Sequence, residues 1–154
     1  MIYYSLEGNT EFAAQTAAAN GDIDLERLIP QKEPPKAGFG KFFWGGKSVV
    51  FSETPPLEPL KYNADDYEDI IVGFPVWAGS YPPAIATYLK EHPFTGKRVR
   101  VIACSAGGNA EKAVNKLKDK LSGNEFGETL SLTDPAKDKD RSAELIKKFV
   151  SAAG

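Results

Sequence analysis

The stretch YSLEGNTEFAA, residues 4–14, joins a short apolar run at the start of the chain to an alanine-rich segment with helical periodicity. It contains one glycine, hydroxyl and amide side chains, and no Lys or Arg. A loop between a buried strand and a helix presents backbone N–H groups and the positive end of the helix dipole. The stretch therefore predicts an anion site in which neutral donors bind a phosphate. An ordinary turn closed by an Asn-Thr cap is the alternative.

Strand and helix patterns alternate along the rest of the chain. The predicted strands are residues 1–4, 22–30, 69–76, 97–105 and 127–134, and the predicted helices begin at Asn9 or Thr10, Pro82, Asn109 and Lys137. The runs 69–76 and 97–105 are almost continuously apolar, as in strands covered on both faces. This alternation predicts an α/β protein, a three-layer open doubly wound sandwich around a five-stranded parallel sheet with right-handed crossovers.

Residues 31–68 interrupt the alternation. The segment is proline-rich at both ends and carries the aromatic stretch GFGKFFWGGKSVVF at residues 38–51. A connection of this length is seldom structureless in a compact domain, so we expect a short irregular helix near residues 41–50, packed over one face of the sheet. The sequence thus predicts one domain, residues 1–154, with an irregular insertion at about 31–68. The GGKS tetrapeptide within it is not a P-loop, because Lys41 replaces the required first glycine.

Composition limits the classes of protein to be considered. The 154 residues are 42% hydrophobic and 26% charged, as in a globular protein. No apolar run approaches the ~20 residues of a membrane span, and no signal-peptide pattern is visible, so we expect a cytoplasmic protein without membrane association. The single cysteine, Cys104, and the single histidine, His92, predict neither a disulfide nor a metal site.

The net charge of −2 is distributed unevenly. Residues 1–75 hold 6 Lys+Arg against 12 Asp+Glu, and residues 76–154 hold 13 against 9. The basic half lacks the aromatic interleaving of a nucleic-acid surface and is typical of solvated helix faces. The acidic half favours association with a basic partner. We expect a monomer or weak dimer that does not bind nucleic acid.

Three loops follow the carboxyl ends of predicted strands: residues 5–10 (the first loop), 75–81 (the second loop) and 105–109 (the third loop). In an open parallel sheet, ligands bind beyond these ends, near the point where the strand order reverses. Trp77, between Pro75 and Gly79, is predicted to be a stacking platform rather than a core residue. Gly79 is predicted to adopt a positive φ in a turn, or otherwise only to let the chain bend ahead of Pro82.

Two of these loops resemble those of the flavodoxins. YSLEGNT is similar to their phosphate-binding loop, whose usual pattern is Thr/Ser-x-Thr-Gly-x-Thr. GFPVWAGSYPP is similar to their second loop, which has a flavin-stacking aromatic residue ahead of a helix that begins with proline. The resemblance covers essentially the whole chain outside residues 31–69. It implies the sheet order 2-1-3-4-5.

The resemblance also implies FMN as the cofactor and assigns the site to the three loops. The implied residues are Ser5, Leu6, Glu7, Gly8, Asn9 and Thr10 at the phosphate, Pro75, Val76, Trp77, Ala78 and Gly79 beside the isoalloxazine ring, and Ser105, Ala106, Gly107, Gly108 and Asn109 at its pyrimidine edge. The resemblance further implies that the third loop contacts that edge through backbone N–H groups.

The chain departs from the family pattern at two places. Glu7 replaces a hydroxyl residue, and a carboxylate beside a phosphate lowers affinity unless it turns to solvent or pairs with a lysine. The third loop, CSAGGNA, lacks the second aromatic residue and the acidic residues common in flavodoxins. One flavin face is therefore expected to be open, or to be covered by an aromatic residue of the stretch 39–44.

The leading hypothesis is an FMN-binding electron-transfer protein of the flavodoxin type, which exchanges electrons with redox proteins or a small-molecule acceptor. The alternative is an FMN-dependent NAD(P)H or quinone reductase on the same fold, which the open third loop favours slightly. A third hypothesis, supported by Glu7, is a binding module without flavin. Fold alone does not choose among them.

Overall fold

The computed structural model describes residues 1–32, 54–107 and 109–152. The strands are β1 (Ile2–Tyr3), β2 (Glu26–Arg27), β3 (Asp69–Pro75), β4 (Arg98–Ser105) and β5 (Glu125–Thr133); the helices are α1 (Asn9–Ala19), α2 (Pro83–Glu91), α3 (Glu111–Lys120) and α4 (Lys139–Ser151). All strand pairs are parallel, in the order β2-β1-β3-β4-β5. The predicted α/β architecture and strand order are confirmed.

The helices cover both faces of the sheet because apolar side chains on the central strands point alternately to either side. On β3, Ile70, Val72 and Phe74 pack against α2 and α3, whereas Ile71 packs against α1 and α4. All four side chains are at most 5% exposed. The nearly continuous apolar sequence of β3 is thus required by burial on two sides.

Strand β2 is shorter than predicted. The Glu26 N–H donates to the Met1 carbonyl at 2.8 Å, and the Leu28 N–H donates to the Tyr3 carbonyl at 2.8 Å. Only Glu26 and Arg27 are paired in register with β1, so the predicted strand 22–30 is wrong for its outer residues. The alternation of apolar and charged residues there reflects partial burial.

Residues 54–63 lie along the outer side of β2. The buried Glu26 carboxylate accepts hydrogen bonds from the N–H groups of Lys61 and Tyr62, at 2.7 and 2.6 Å. Pro30 forms an antiparallel bridge with Leu57. Part of the predicted irregular insertion is therefore hydrogen-bonded to Glu26 and to the residues that follow β2, whereas the helix predicted near residues 41–50 lies outside the described residues.

Cys104 lies on β4 and packs into the core formed with α1 and α4. Burial raises the pKa of its thiol to about 12, so the thiol stays protonated at neutral pH. A protonated buried thiol is a poor nucleophile, in agreement with a packing role.

Within the described ranges, no helix combines the length and apolar character needed to cross a bilayer. Across the same ranges, no group of three or more His, Cys, Asp or Glu side chains is arranged to hold a metal ion.

Candidate functional site

The first loop ends in an open helix N-terminus. Helix α1 begins at Asn9, and Gly8 precedes it with a φ of 97° and no capping side chain. The Ser5 hydroxyl accepts a hydrogen bond from the Glu11 N–H at 3.1 Å. Within the described part of the chain, no acceptor meets the N–H groups of Asn9 and Thr10. These two donors lie at the positive end of the helix dipole and are available to an anion.

The alternative, an Asn-Thr cap, is wrong because both side chains have other surroundings. Asn9 Oδ1 accepts a hydrogen bond from the Ala136 N–H at 3.0 Å. Thr10 is fully buried, and its hydroxyl oxygen has essentially no exposed surface. Ser5 and Leu6 are buried too. In this conformation Asn9 and Thr10 offer a phosphate their backbone N–H groups rather than their side chains.

Glu7 is exposed, in contrast to its buried neighbours in the first loop. Lys137 is close enough to interact with it: the Asp134 carboxylate, 2.8 Å from Lys137 Nζ, raises the pKa of Lys137, and the charge of Glu7 raises it further. Glu7 thus meets the first of the two conditions, since it is turned to solvent, whereas Lys137 forms its ion pair with Asp134.

We expect Glu7→Thr to tighten FMN binding by about two- to fivefold, since an exposed charge is largely screened by water. The gain should shrink as salt is added. Equilibrium titration of the apoprotein at two salt concentrations measures both effects. Glu68→Thr, an exposed glutamate that precedes β3, is the matched control. An equal gain in the control, or weaker binding by Glu7→Thr, contradicts the prediction.

A fourth loop, residues 134–138, adjoins the predicted three. The Asp134 N–H donates to the Ser105 carbonyl at 3.1 Å, and Ala136 binds Asn9 as described above. The loop therefore joins the first loop to the third. The sequence analysis missed it, although the carboxyl end of the predicted fifth strand lies at the same edge of the sheet.

Arg27 also lies beside the first loop, which was not predicted from the sequence. It ends β2 and pairs with Tyr3 of β1, so its side chain reaches the first loop. Arg27 Nη1 lies 2.5 Å from Glu11 Oε2, and Nη2 donates to the Ser5 carbonyl at 3.4 Å. The first loop itself contains no cation, but the structure places a cation beside it. The cation comes from a neighbouring strand, 22 residues away from Ser5 in the sequence.

The second loop contains a tight hairpin turn. Trp77 and Ser80 exchange two backbone hydrogen bonds, each 2.9 Å long. Between them, Ala78 and Gly79 have φ values of 46° and 70°. Two successive positive φ angles define a type I′ turn. The predicted positive φ at Gly79 is confirmed, whereas the positive φ at Ala78 was not anticipated.

Gly79→Val is expected to lower the free energy of unfolding by about 1–3 kcal/mol, because a β-branched residue is strained at positive φ. A Cβ there would also lie 3.0 Å from Lys112 Cδ. Urea unfolding measures the loss. Gly107→Val is the control, since a Cβ at Gly107 meets nothing within 4 Å and its φ is not positive. Equal losses in the two variants contradict this explanation.

Trp77 is held at the base of the second loop. Its ring packs edge-to-face with Tyr4, with centroids 5.4 Å apart and planes at 90°. Trp77, Pro75 and Val76 are partly buried, and Ala78 is exposed. The indole is thus anchored at the core and retains exposed surface. An aromatic ring in this situation can stack on a planar ligand.

The third loop contributes polar groups at the same edge. Ser105 is buried, and its hydroxyl oxygen has no hydrogen-bond partner among the described residues. Asn109 Oδ1 accepts a hydrogen bond from the Glu111 N–H at 3.1 Å, and Ala106 and Gly107 are exposed. Gly108 lies outside the described residues. Unsatisfied buried polar groups call for a partner, and a polar ligand bound at this edge would be a candidate for that role.

The parallel register gathers these loops at one edge of the sheet. Tyr3 pairs with Gly73, and Pro75 pairs with Cys104, so β1, β3 and β4 end side by side. The N-terminus of α1, the indole of Trp77 and the Ser105 hydroxyl, which has no partner among the described residues, thus border one region. The residues fit a planar ligand that carries a phosphate.

Comparisons with known proteins identify the family to which this fold belongs. The sequence profile of the flavodoxin family matches residues 1–148. A candidate flavoprotein from Bacteroides uniformis shares 26% identity and superposes with a TM-score of 0.80, over 97% of this chain and 95% of that one. For a candidate flavoprotein from Bacteroides eggerthii the identity is 25% and the TM-score 0.74, over 90% and 91% of the two chains.

A flavoprotein from Lactobacillus acidophilus, solved in complex with FMN, shares the fold with 20% identity and a TM-score of 0.66, over 90% of this chain and 94% of that one. A search among curated proteins finds no match. The family profile covers nearly the whole chain, including all three predicted loops. The chain therefore belongs to the flavodoxin family, whose cofactor is FMN.

Proposed function

We propose that this protein binds FMN at the carboxyl edge of its sheet and serves as an electron-transfer protein. The observation that carries the proposal is the pair of N–H groups of Asn9 and Thr10, which find no acceptor in the described part of the chain, at the start of an 11-residue helix. When bound, FMN supplies the redox chemistry. The residues of this chain bind the flavin, orient it and leave it accessible to redox partners.

The first loop is suited to the phosphate of FMN. Asn9 and Thr10 donate from the backbone, and the helix dipole favours the negative charge. The Ser5 hydroxyl accepts from Glu11 and so keeps its own proton for donation. A Cβ at Gly8 would meet nothing within 4 Å, so open space adjoins these donors.

The second and third loops are suited to the ring system. Trp77 offers an aromatic surface whose orientation is fixed by its contact with Tyr4. Backbone groups of the third loop are expected to meet the polar edge of the ring. Ala78 and Ala106 are small and exposed, so a redox partner can approach the ring closely.

Electron transfer is favoured over catalysis by the composition of the three loops. Residues 5–10, 75–81 and 105–109 contain no His, Lys, Arg or Cys, and Glu7 is their one carboxylate. Substrate protonation calls for a positioned acid or base, whereas electron exchange with a protein or small-molecule acceptor does not.

A reductase is the second candidate, because Ala106 and Gly107 are exposed and no aromatic residue of the third loop covers the ring. An open flavin face would allow a nicotinamide or quinone to stack. The two candidates predict different reactions with NAD(P)H.

The visible spectrum of the purified protein, followed by anaerobic mixing with NADH and with NADPH, separates the candidates. A yellow protein that neither nucleotide bleaches supports electron transfer between partners. Rapid bleaching by either nucleotide supports the reductase. A colourless protein that added FMN does not reconstitute contradicts both and favours a binding module without flavin.

A further inference from the structure

Arg27 closes a ring of hydrogen bonds with the first loop and the first turn of α1. The Glu11 N–H donates to the Ser5 hydroxyl, the Glu11 carboxylate accepts from Arg27 Nη1, and Arg27 Nη2 donates to the Ser5 carbonyl. The three residues come from β2, α1 and the loop between β1 and α1. The Arg27 side chain is therefore hydrogen-bonded to Ser5, at one end of the first loop, and to Glu11, directly after its other end.

The ring is partly shielded from solvent. The side chains of Arg27 and Glu11 are 37% and 26% exposed, whereas those of the Arg98–Asp69 pair are 63% and 52% exposed. Charge-assisted hydrogen bonds gain strength as water is excluded, so the Arg27 contacts hold the loop more firmly than a surface ion pair would.

The charge of Arg27 also matters for an anion. Glu7 and Glu11 place two carboxylates in or beside the first loop, where they oppose the approach of a phosphate dianion. Arg27 contacts Glu11 directly and offsets one of these charges. Without Arg27, the positive end of α1 would be weakened by an uncompensated carboxylate in its own first turn.

We propose that Arg27 is a positioning residue for cofactor phosphate. It holds the Ser5 carbonyl and neutralises Glu11, so that the first loop has its anion-binding shape and potential before FMN arrives. This inference rests on the proposed FMN site. It makes Arg27 a determinant of the preference for FMN over a flavin that lacks the phosphate.

The test compares Arg27→Met with wild type in titrations of the apoprotein with FMN and with riboflavin, which lacks the phosphate. We expect the dissociation constant for FMN to rise about 10- to 100-fold, the effect of losing charge-assisted hydrogen bonds, and that for riboflavin to change less than about threefold. Arg27→Lys keeps the positive charge but loses the planar guanidinium group with its paired donors, so it should recover part of the affinity for FMN.

Arg98→Met is the matched control, because Arg98 forms an ion pair with Asp69 at the opposite edge of the sheet. It should leave both dissociation constants unchanged. If Arg27→Met does not fold, Arg27→Gln replaces it, since the amide retains one hydrogen-bond donor group.

Amide exchange of Glu11 in the apoprotein gives a readout that does not depend on flavin. It should accelerate in Arg27→Met and stay unchanged in Arg98→Met. Equal weakening of FMN and riboflavin, unchanged FMN affinity, or unchanged Glu11 exchange overturns the positioning role. Failure of wild type to bind FMN would instead overturn the proposed function.

Discussion

Gly8→Val is expected to weaken FMN binding by more than about a hundredfold while the protein stays folded. Gly8 has a φ of +97°, and a Cβ there meets no atom of the described residues within 4 Å. The added methyl groups would therefore occupy the open space beside the N–H groups of Asn9 and Thr10. Losing two hydrogen bonds to a charged phosphate accounts for an effect of this size. Titration with FMN, together with urea unfolding, measures affinity and stability separately.

Gly96→Val is the control for backbone strain. Gly96 also has a positive φ, of 71°, and a Cβ there likewise meets nothing within 4 Å, but it precedes β4 at the opposite edge of the sheet. Both variants should lose about 1–3 kcal/mol of unfolding free energy. Only Gly8→Val should lose FMN. A similar loss of affinity in both variants, or in neither, contradicts the assignment of the first loop to phosphate.

Trp77→Ala is expected to weaken FMN binding by about tenfold to a hundredfold, because it removes a large aromatic contact with the ring. It also removes the contact with Tyr4, so the free energy of unfolding should fall as well. Trp77→Phe should retain part of the affinity, since phenylalanine preserves an aromatic face. The same FMN titration measures all three proteins.

Fluorescence gives an independent test of stacking. In a Trp44→Phe background, the emission of Trp77 should be strongly quenched by FMN and should recover when FMN is removed. Substitution of Trp77 by phenylalanine in that background should abolish the signal. An affinity that Trp77→Ala leaves unchanged would assign stacking to another residue.

The parts of the fold that follow from local patterns were predictable. The apolar runs of β3 and β4 identified the sheet centre because strands buried on both faces need apolar residues throughout. The positive φ at Gly79 was predictable because few other residues tolerate it. The strand order followed from the family resemblance, which the pairing of β1 with both β2 and β3 bears out.

Features that depend on distant contacts were not predictable. Asn9 matched a helix-cap pattern, but its side chain binds Ala136, which is 127 residues away. In the sequence, Arg27 is one charged residue of a predicted half-exposed strand. Only the pairing of β2 with β1 brings it to Ser5. Glu26 is buried because the N–H groups of Lys61 and Tyr62 bind its carboxylate. Local sequence carries no signal of such partners.

The most direct test of the FMN site is an NMR titration of the apoprotein with FMN, observed at the backbone amides. The account predicts saturable shifts and slowed exchange for the N–H groups of Asn9 and Thr10, with the amide of Gly96 unaffected. Riboflavin should leave the Asn9 and Thr10 amides largely unshifted, because it has no phosphate. Saturable FMN binding that leaves these two amides unchanged, or no saturable binding at all, would contradict the account.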